Sequence, residues 1–330
     1  MLFGRIPIDR EHALGVLLVV ISACGFGSGA LFAKPIYGAG VDWMTLLAWR
    51  FLFAAALSWG WLLLWPAHRR ALRSLPRRRI AILVLLGLFY LGNTGTYFAA
   101  LETVSASLAA LIVYIYPALV AVMSVRFARR LQGRRAWGAL ALATLGVALA
   151  VGGIDPQQAP PLLGLALTVA TPVIYAVWII LAARLSGERG ESPGDTAVPP
   201  YDSEVVAETQ GTEPAPAAAV MITATAIGWS IAALATGRPV APSQIPPEAW
   251  LPLLGVGAIS TALAIQTFYA GAKRIGAARA SLVSTVEPVY TIVFAAILFA
   301  EVLTPLQLLG GALVIIGVVI AQTGEGRKSG

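Results

Sequence analysis

The chain is 330 residues long, 58% hydrophobic and 12% charged, with a mean hydropathy of +0.79 and a formal net charge of +7. Soluble proteins carry about a quarter charged residues, so this chain has more apolar surface than a soluble core can hide, and lipid is its natural solvent. Its arginines stand in short runs between apolar segments, which speaks against a nucleic-acid partner, and one cysteine with two histidines gives neither an internal disulfide nor a Cys/His metal site.

Apolar runs of roughly 20 residues mark ten membrane spans. The first covers 14–33. Its "ISAC" (21–24) has the form of a lipoprotein cleavage site, but cleavage would leave nine spans and destroy a helix that continues through "GFGSGALFA", so the run is read as retained. Gly25 and Gly29, four residues apart, permit close helix contact. Lys34 at the outer end is read as an interface anchor. The second span, 44–65, holds Arg50 about six residues in, roughly 9 Å below the surface. That arginine either snorkels to the headgroups or offers its bidentate fork to a substrate carboxylate. Trp61 and Trp65 near the other end are belt residues.

The third span, 80–99, contributes Asn93 and Tyr97, and the fourth, 105–125, contributes Tyr114, Tyr116 and the helix-breaking Pro117. The fifth is 136–153; the sixth, 162–183, carries Tyr175 and Trp178. Residues 185–216 are rich in Gly, Pro, Ser and acidic residues without periodicity, and are predicted to be a disordered cytoplasmic linker. The seventh span, 217–236, is diluted by threonines and Gly228; the eighth, 250–271, offers Ser260, Thr261 and Gln266. The ninth and tenth are 277–300 and 305–322. Tyrosine and tryptophan in a pocket can stack on a ligand and hydrogen-bond it; singly, each of these aromatics is equally readable as packing or interface belt.

The ninth span carries the sharpest signal. Glu287 lies about ten residues in, roughly 15 Å at 1.5 Å per residue, which is the midplane of a core about 30 Å thick. Ser281, Ser284, Glu287 and Thr291 follow at spacings of three, three and four, with Tyr290 close by, so they share one face. Such a stripe turns toward protein or a water-filled cavity. Pro288 frees a backbone carbonyl as a further polar group. Glu287 is either a coupling residue on a transport path or a satisfied core residue that pins two helices. In a low-dielectric site its neutral form is favoured unless a cation balances it, and Arg50 or a substrate amine is the candidate.

The loops alternate in charge. "HRRALRSLPRRR" (68–79) holds six Arg, "RFARRLQGRR" (126–135) five, and "AKRIGAAR" (272–279) three basic residues; the opposite loops hold only Lys34 and Arg238. The positive-inside rule then places both termini in the cytoplasm. Shifting the sequence by 171 positions lays "ASLAALIVYIYPALV" (106–120) on "AARASLVSTVEPVYT" (277–291), with Pro117 meeting Pro288 and Gly146 meeting Gly317. Five helices per copy inverts the second relative to the first, a plan of secondary transporters whose sites lie near the midplane between the repeats. The expected architecture is an all-α membrane protein of ten transmembrane helices in two inverted five-helix repeats, 13–153 and 162–322, the second interrupted by the linker.

"AARASLVSTVEPVYTIVFAAILFAEVLTPLQLLGGALVIIGVVI" resembles the closing helices of EamA-type members of the drug/metabolite transporter superfamily. "FAKPIYGAGVDWMTLLAWRFLFAAAL" is similar to that family's first two helices, with Lys34 and Arg50 at its Lys and Arg positions. The resemblance covers nearly the whole chain outside the termini and the linker. It implies a multi-pass protein of the cell (inner) membrane: a proton-linked or gradient-driven carrier of small organic metabolites, commonly an exporter of amino acids or related compounds. The expected partners are a small-molecule substrate, protons and the bilayer; a homodimer is left open, and no cofactor is implied. A channel or lipid scramblase is the alternative, disfavoured by the inverted repeat. A membrane-embedded enzyme is disfavoured by two peripheral histidines with no acidic constellation. No Walker-type loop is present to use ATP.

Overall fold

The computed structural model describes residues 10–120, 123, 134–153, 159–185, 214–275, 280 and 283–322, and among them every regular element is helical. α1 (Arg10–Gly38), α2 (Trp43–Leu64), α3 (Pro66–Arg73), α4 (Arg77–Leu101) and α5 (Ala106–Val113) form the first part. α6 (Arg134–Gly152), α7 (Leu162–Leu185) and α8 (Pro214–Ala235) follow. α9 (Trp250–Gly257) runs through a π-helical segment (Ala258–Leu263) directly into α10 (Ala264–Ile275), and α11 (Val286–Phe299) and α12 (Pro305–Gln322) close the chain. The expected linker and both chain ends lie largely outside the described residues.

Six of the described helical runs are long and apolar enough to cross a bilayer: Arg10–Gly38, Trp43–Leu64, Arg77–Leu101, Leu162–Leu181, Ala215–Ala235 and Pro247–Ala272. Four shorter apolar stretches are Ala106–Val120, Leu140–Val151, Val286–Phe299 and Pro305–Ile320. Large apolar side chains lie exposed along the spanning helices, Ile297 and Leu251 among them. In water that exposure would be costly; against lipid tails it costs nothing.

Local chemistry sets the helix ends. Asp42 caps α2, its carboxylate accepting from the Met44 and Thr45 N–H groups at 2.9 and 3.3 Å. At α5 the Ser105 hydroxyl accepts from Leu108 N–H. There the Glu301 carboxylate also accepts from the Ala106 and Ser107 N–H groups at 3.0 and 2.9 Å, binding the loop before α12 to the start of α5.

Two spans expected to be continuous are broken. α5 stops in a turn at Tyr114 and Ile115 before helix resumes over 116–120, and a second turn at Ser284 and Thr285 precedes α11. Each turn lies just before a proline, Pro117 and Pro288. A proline cannot donate to the carbonyl four residues back, and its ring crowds that carbonyl, so the helix opens there. "HRRALRSLPRRR", read as a plain loop, contains the short helix α3. Pro66 fits its first turn, where a missing N–H costs nothing.

Close packing rests on small residues. A Cβ placed on Gly87 of α4 would lie 2.5 Å from the Met221 carbonyl of α8, and one on Gly146 of α6 2.5 Å from the Gly310 carbonyl of α12. α1 is gripped on two faces. Cβ atoms on Gly25 and Gly29 would meet Ala264 at 2.9 Å and the Ser260 hydroxyl at 2.7 Å; one on Gly27 would meet the Thr291 hydroxyl of α11 at 2.6 Å. The "GFGSG" stretch therefore lets α1 sit between the π segment and α11.

Candidate functional site

The site forms where α1, α2, α4, the α5 break, the π segment and α11 converge. A cavity is lined there by Arg50, Glu287, Pro288 and Thr291, together with Tyr97, Tyr114 and Tyr116. Phe26, Gly29, Phe98 and Ser260 complete much of the wall. A second cavity has a more apolar wall, including Phe51, Tyr90, Trp178, Met221 and Ile265. Arg50 lines both cavities.

Arg50 is 4% exposed, so it does not snorkel to an interface. Its Nε donates to the Thr261 hydroxyl at 2.9 Å. Its guanidinium carbon lies 4.7 Å from the Phe98 ring centroid and 5.2 Å from that of Phe51, within cation–π range. Among the described residues no carboxylate pairs with it. The π segment explains Thr261's orientation. The Thr261 hydroxyl donates five residues back to the Val256 carbonyl at 3.0 Å, and the wider turn leaves adjacent Ser260 and Thr261 lining different cavities. π segments of this kind recur at functional sites.

The two helix breaks meet. The Tyr114 hydroxyl donates at 2.7 Å to the Ser284 carbonyl, the acceptor that Pro288 cannot serve. That carbonyl also accepts from Glu287 N–H at 2.9 Å. It was expected to be open to a ligand, and it is instead occupied from within. Glu287 itself is half-buried and lines the first cavity.

Of the residues singled out in the sequence, Gly29, Arg50, Tyr97, Tyr114, Tyr116, Ser260, Glu287, Pro288 and Thr291 come together at the first cavity, and Thr261 and Trp178 join Arg50 at the second. Ser281 lies outside the described residues, and the remaining ones lie apart from both cavities. Ser284 is buried, its hydroxyl donating to the Ala280 carbonyl at 3.0 Å. The Tyr290 hydroxyl pairs with Ser28 at 3.0 Å rather than facing either cavity. Tyr175 is fully buried between Tyr116 and Trp178, with ring centroids 4.7 and 5.8 Å away, and Trp178 Nε1 donates to the Leu86 carbonyl. Asn93 is buried in α4, while Gln266 on α10 and Pro117 line neither cavity. Lys34, expected at the headgroups, instead donates to the Leu101 and Val104 carbonyls at 2.9 and 2.6 Å, closing the end of α4 onto α1. Among the lining residues not anticipated are Phe26, Phe51, Tyr90 and Phe98. They are apolar or aromatic in an apolar chain, and nothing in their spacing marks them.

A sequence model of the EamA-like transporter family matches residues 13–152 and 209–323. An uncharacterized transporter of Archaeoglobus fulgidus is 25% identical over 312 residues, covering 93% of this chain and 96% of that one. One crystal structure aligns with a TM-score of 0.58 at 19% identity over 94% of this chain and 96% of its own, a likeness of fold.

Proposed function

Because the chain belongs to the EamA-like transporter family, we propose that it is a secondary carrier which holds the carboxylate of a small metabolite, an amino acid or close relative, at Arg50 and exchanges it for protons. It is a multi-pass membrane transporter, and its partners include the bilayer and a small-molecule substrate. The observation that supports a carboxylate is Arg50 itself. A buried guanidinium without a carboxylate partner among the described residues is costly, and an incoming carboxylate would offset that cost through two parallel hydrogen bonds. Glu287, on the wall of the same cavity, is the group proposed to take up or release the proton.

In this reading ten helices span the cell (inner) membrane as two inverted repeats, 13–153 and 162–322, with both termini and the 185–216 linker in the cytoplasm, and transport runs outward. The matched offsets support the repeat: α8 begins and ends 171 residues after α2.

The test is counterflow in proteoliposomes with labelled amino acids. Preloaded substrate should accelerate uptake, Arg50→Lys should raise the half-saturation concentration roughly tenfold for one lost hydrogen bond to a charged group, and Glu287→Gln should flatten the pH profile of transport while the protein still folds. Equal uptake by empty and preloaded vesicles would point to a channel and sink the carrier reading. An unchanged pH profile in Glu287→Gln would make that residue a packing element.

A further inference from the structure

The short helix α3 lies between two spanning helices, and nothing in the transport cycle requires it. Trp65 caps it with extended backbone (φ −106°, ψ 118°), so the chain turns as α2 ends. It turns again at Ser74, whose N–H donates to the Arg70 carbonyl and whose hydroxyl donates to the Ala71 carbonyl, before α4 starts at Arg77. The two turns confine six arginines to positions 69–79. Arg69, Arg70, Arg73, Arg77 and Arg78 are exposed, and among the described residues none of the five has a carboxylate partner. The sequence contains no Asp or Glu between Asp42 and Glu102.

The opposite side of this bend is apolar. Ala71, Leu72 and Leu75 are half-buried, and α3 packs against α2 and α8. Beside it Trp61 and Trp65 stand exposed with ring centroids 5.7 Å apart, next to exposed Leu63 and Leu64. Tryptophans occupy headgroup depth, and leucines at a helix end reach acyl chains. Exposed guanidiniums above such a pair meet phosphate as a planar fork. A soluble anion would use the arginines but not the apolar half of this surface.

We propose that α3 and the start of α4 form a binding site for the phosphate headgroup of anionic phospholipids, with Arg69, Arg70 and Arg73 on the headgroup and Trp61 and Trp65 beside the acyl chains. The site does not depend on which side of the membrane α3 faces or on the substrate assigned to Arg50. The experiment uses the full chain purified in detergent, with retained lipid counted by native mass spectrometry after incubation with phosphatidylglycerol or phosphatidylcholine. The protein should retain phosphatidylglycerol preferentially. An arginine beside an anionic surface is worth about fivefold in affinity, so Arg69→Gln/Arg70→Gln/Arg73→Gln should weaken retention roughly a hundredfold, with an unchanged melting temperature in phosphatidylcholine. Arg77→Gln/Arg78→Gln provides an independent second variant, expected to weaken it less, by about twenty-five-fold. Equal retention of the two lipids, or an unaltered variant, would overturn the proposal. So would displacement of the lipid by millimolar inorganic phosphate, which would indicate a free-anion site. Lipid binding that appears only after deletion of residues 186–213 would overturn it in favour of that acidic stretch as the occupant.

Discussion

Tyr114→Phe, tested with and without Pro288→Ala, should reveal how the two broken helices are tied together. The Tyr114 hydroxyl bonds the Ser284 carbonyl at 2.7 Å, and both atoms are buried. Loss of a neutral buried hydrogen bond costs about 1 kcal/mol in soluble proteins and averages about 0.6 kcal/mol between membrane helices. The carbonyl would not be fully stranded, because it keeps the Glu287 N–H at 2.9 Å. The expected destabilisation is therefore about 0.6–1 kcal/mol. Pro288→Ala supplies the missing backbone N–H, which can serve Ser284 as an ordinary helix would. In that background Tyr114→Phe should cost close to nothing, so the coupling energy of the cycle should nearly equal the single-mutant cost. Reversible unfolding in mixed detergent micelles, followed by tryptophan fluorescence, gives all four stabilities. Equal cost in both backgrounds would refute the reasoning, because the hydroxyl would then not be standing in for the proline's missing donor.

Thr261→Val should lower stability by about 1.5–3 kcal/mol, the range for a hydrogen bond to a charged group, while Thr261→Ser should keep most of it. Thermal denaturation of the two variants decides, and equal melting temperatures would show that the Arg50–Thr261 bond contributes little. Residues 185–216 should be cleaved by added protease in inside-out vesicles and protected in right-side-out ones; the reverse pattern would overturn the orientation and the inverted repeat together.

The helices were legible because lipid demands long apolar runs, and Arg50 and Glu287 were legible because a charge inside such a run needs a reason. What the sequence hid was rotation. Ser281, Ser284, Glu287 and Thr291 share a face only if one unbroken α-helix carries them. The turn at Ser284 and Thr285 interrupts it, which leaves Glu287 and Thr291 on the cavity and Ser284 bonded into its own backbone. On the eighth span the π segment adds a residue to one turn. Within it Ser260 lines the first cavity and Thr261 the second, while Gln266, further along, lines neither. "AISTAL" carries no compositional mark of a π-helix. Just before it α2 comes close. A Cβ on Gly257 would lie 2.9 Å from the Arg50 carbonyl. Tyr290 lies off both cavities for a related reason. Gly27 lets α1 approach α11 closely enough for Ser28 to take the phenol hydroxyl.

Arg50's hydrogen bond and its two cavities together bear on how a carrier of this shape would work. The side chain is fixed through Nε to Thr261 and flanked by Phe98 and Phe51, and the remaining N–H groups of its fork are the part available to a ligand. On the proposed reading, a carboxylate bound there would need no change at Nε, so binding and release of the arginine are separable steps. On the same reading, passage from one cavity to the other would require a change, because Arg50 lines both and is held to Thr261 on the wall of the second. On that reading a ligand that leaves this bond intact would bind without moving, and one that draws the guanidinium off Thr261 would open the way. A ligand shifts such an equilibrium only by its differential affinity for the two arrangements. The proposed substrate must therefore bond the freed arginine more strongly than the held one, and Thr261→Val, which abolishes the held arrangement, should narrow the difference between transported and merely bound carboxylates. Counterflow rates for a tight-binding inhibitor and a substrate, measured side by side in that variant, would converge; an undiminished difference would mean that the partition is opened elsewhere.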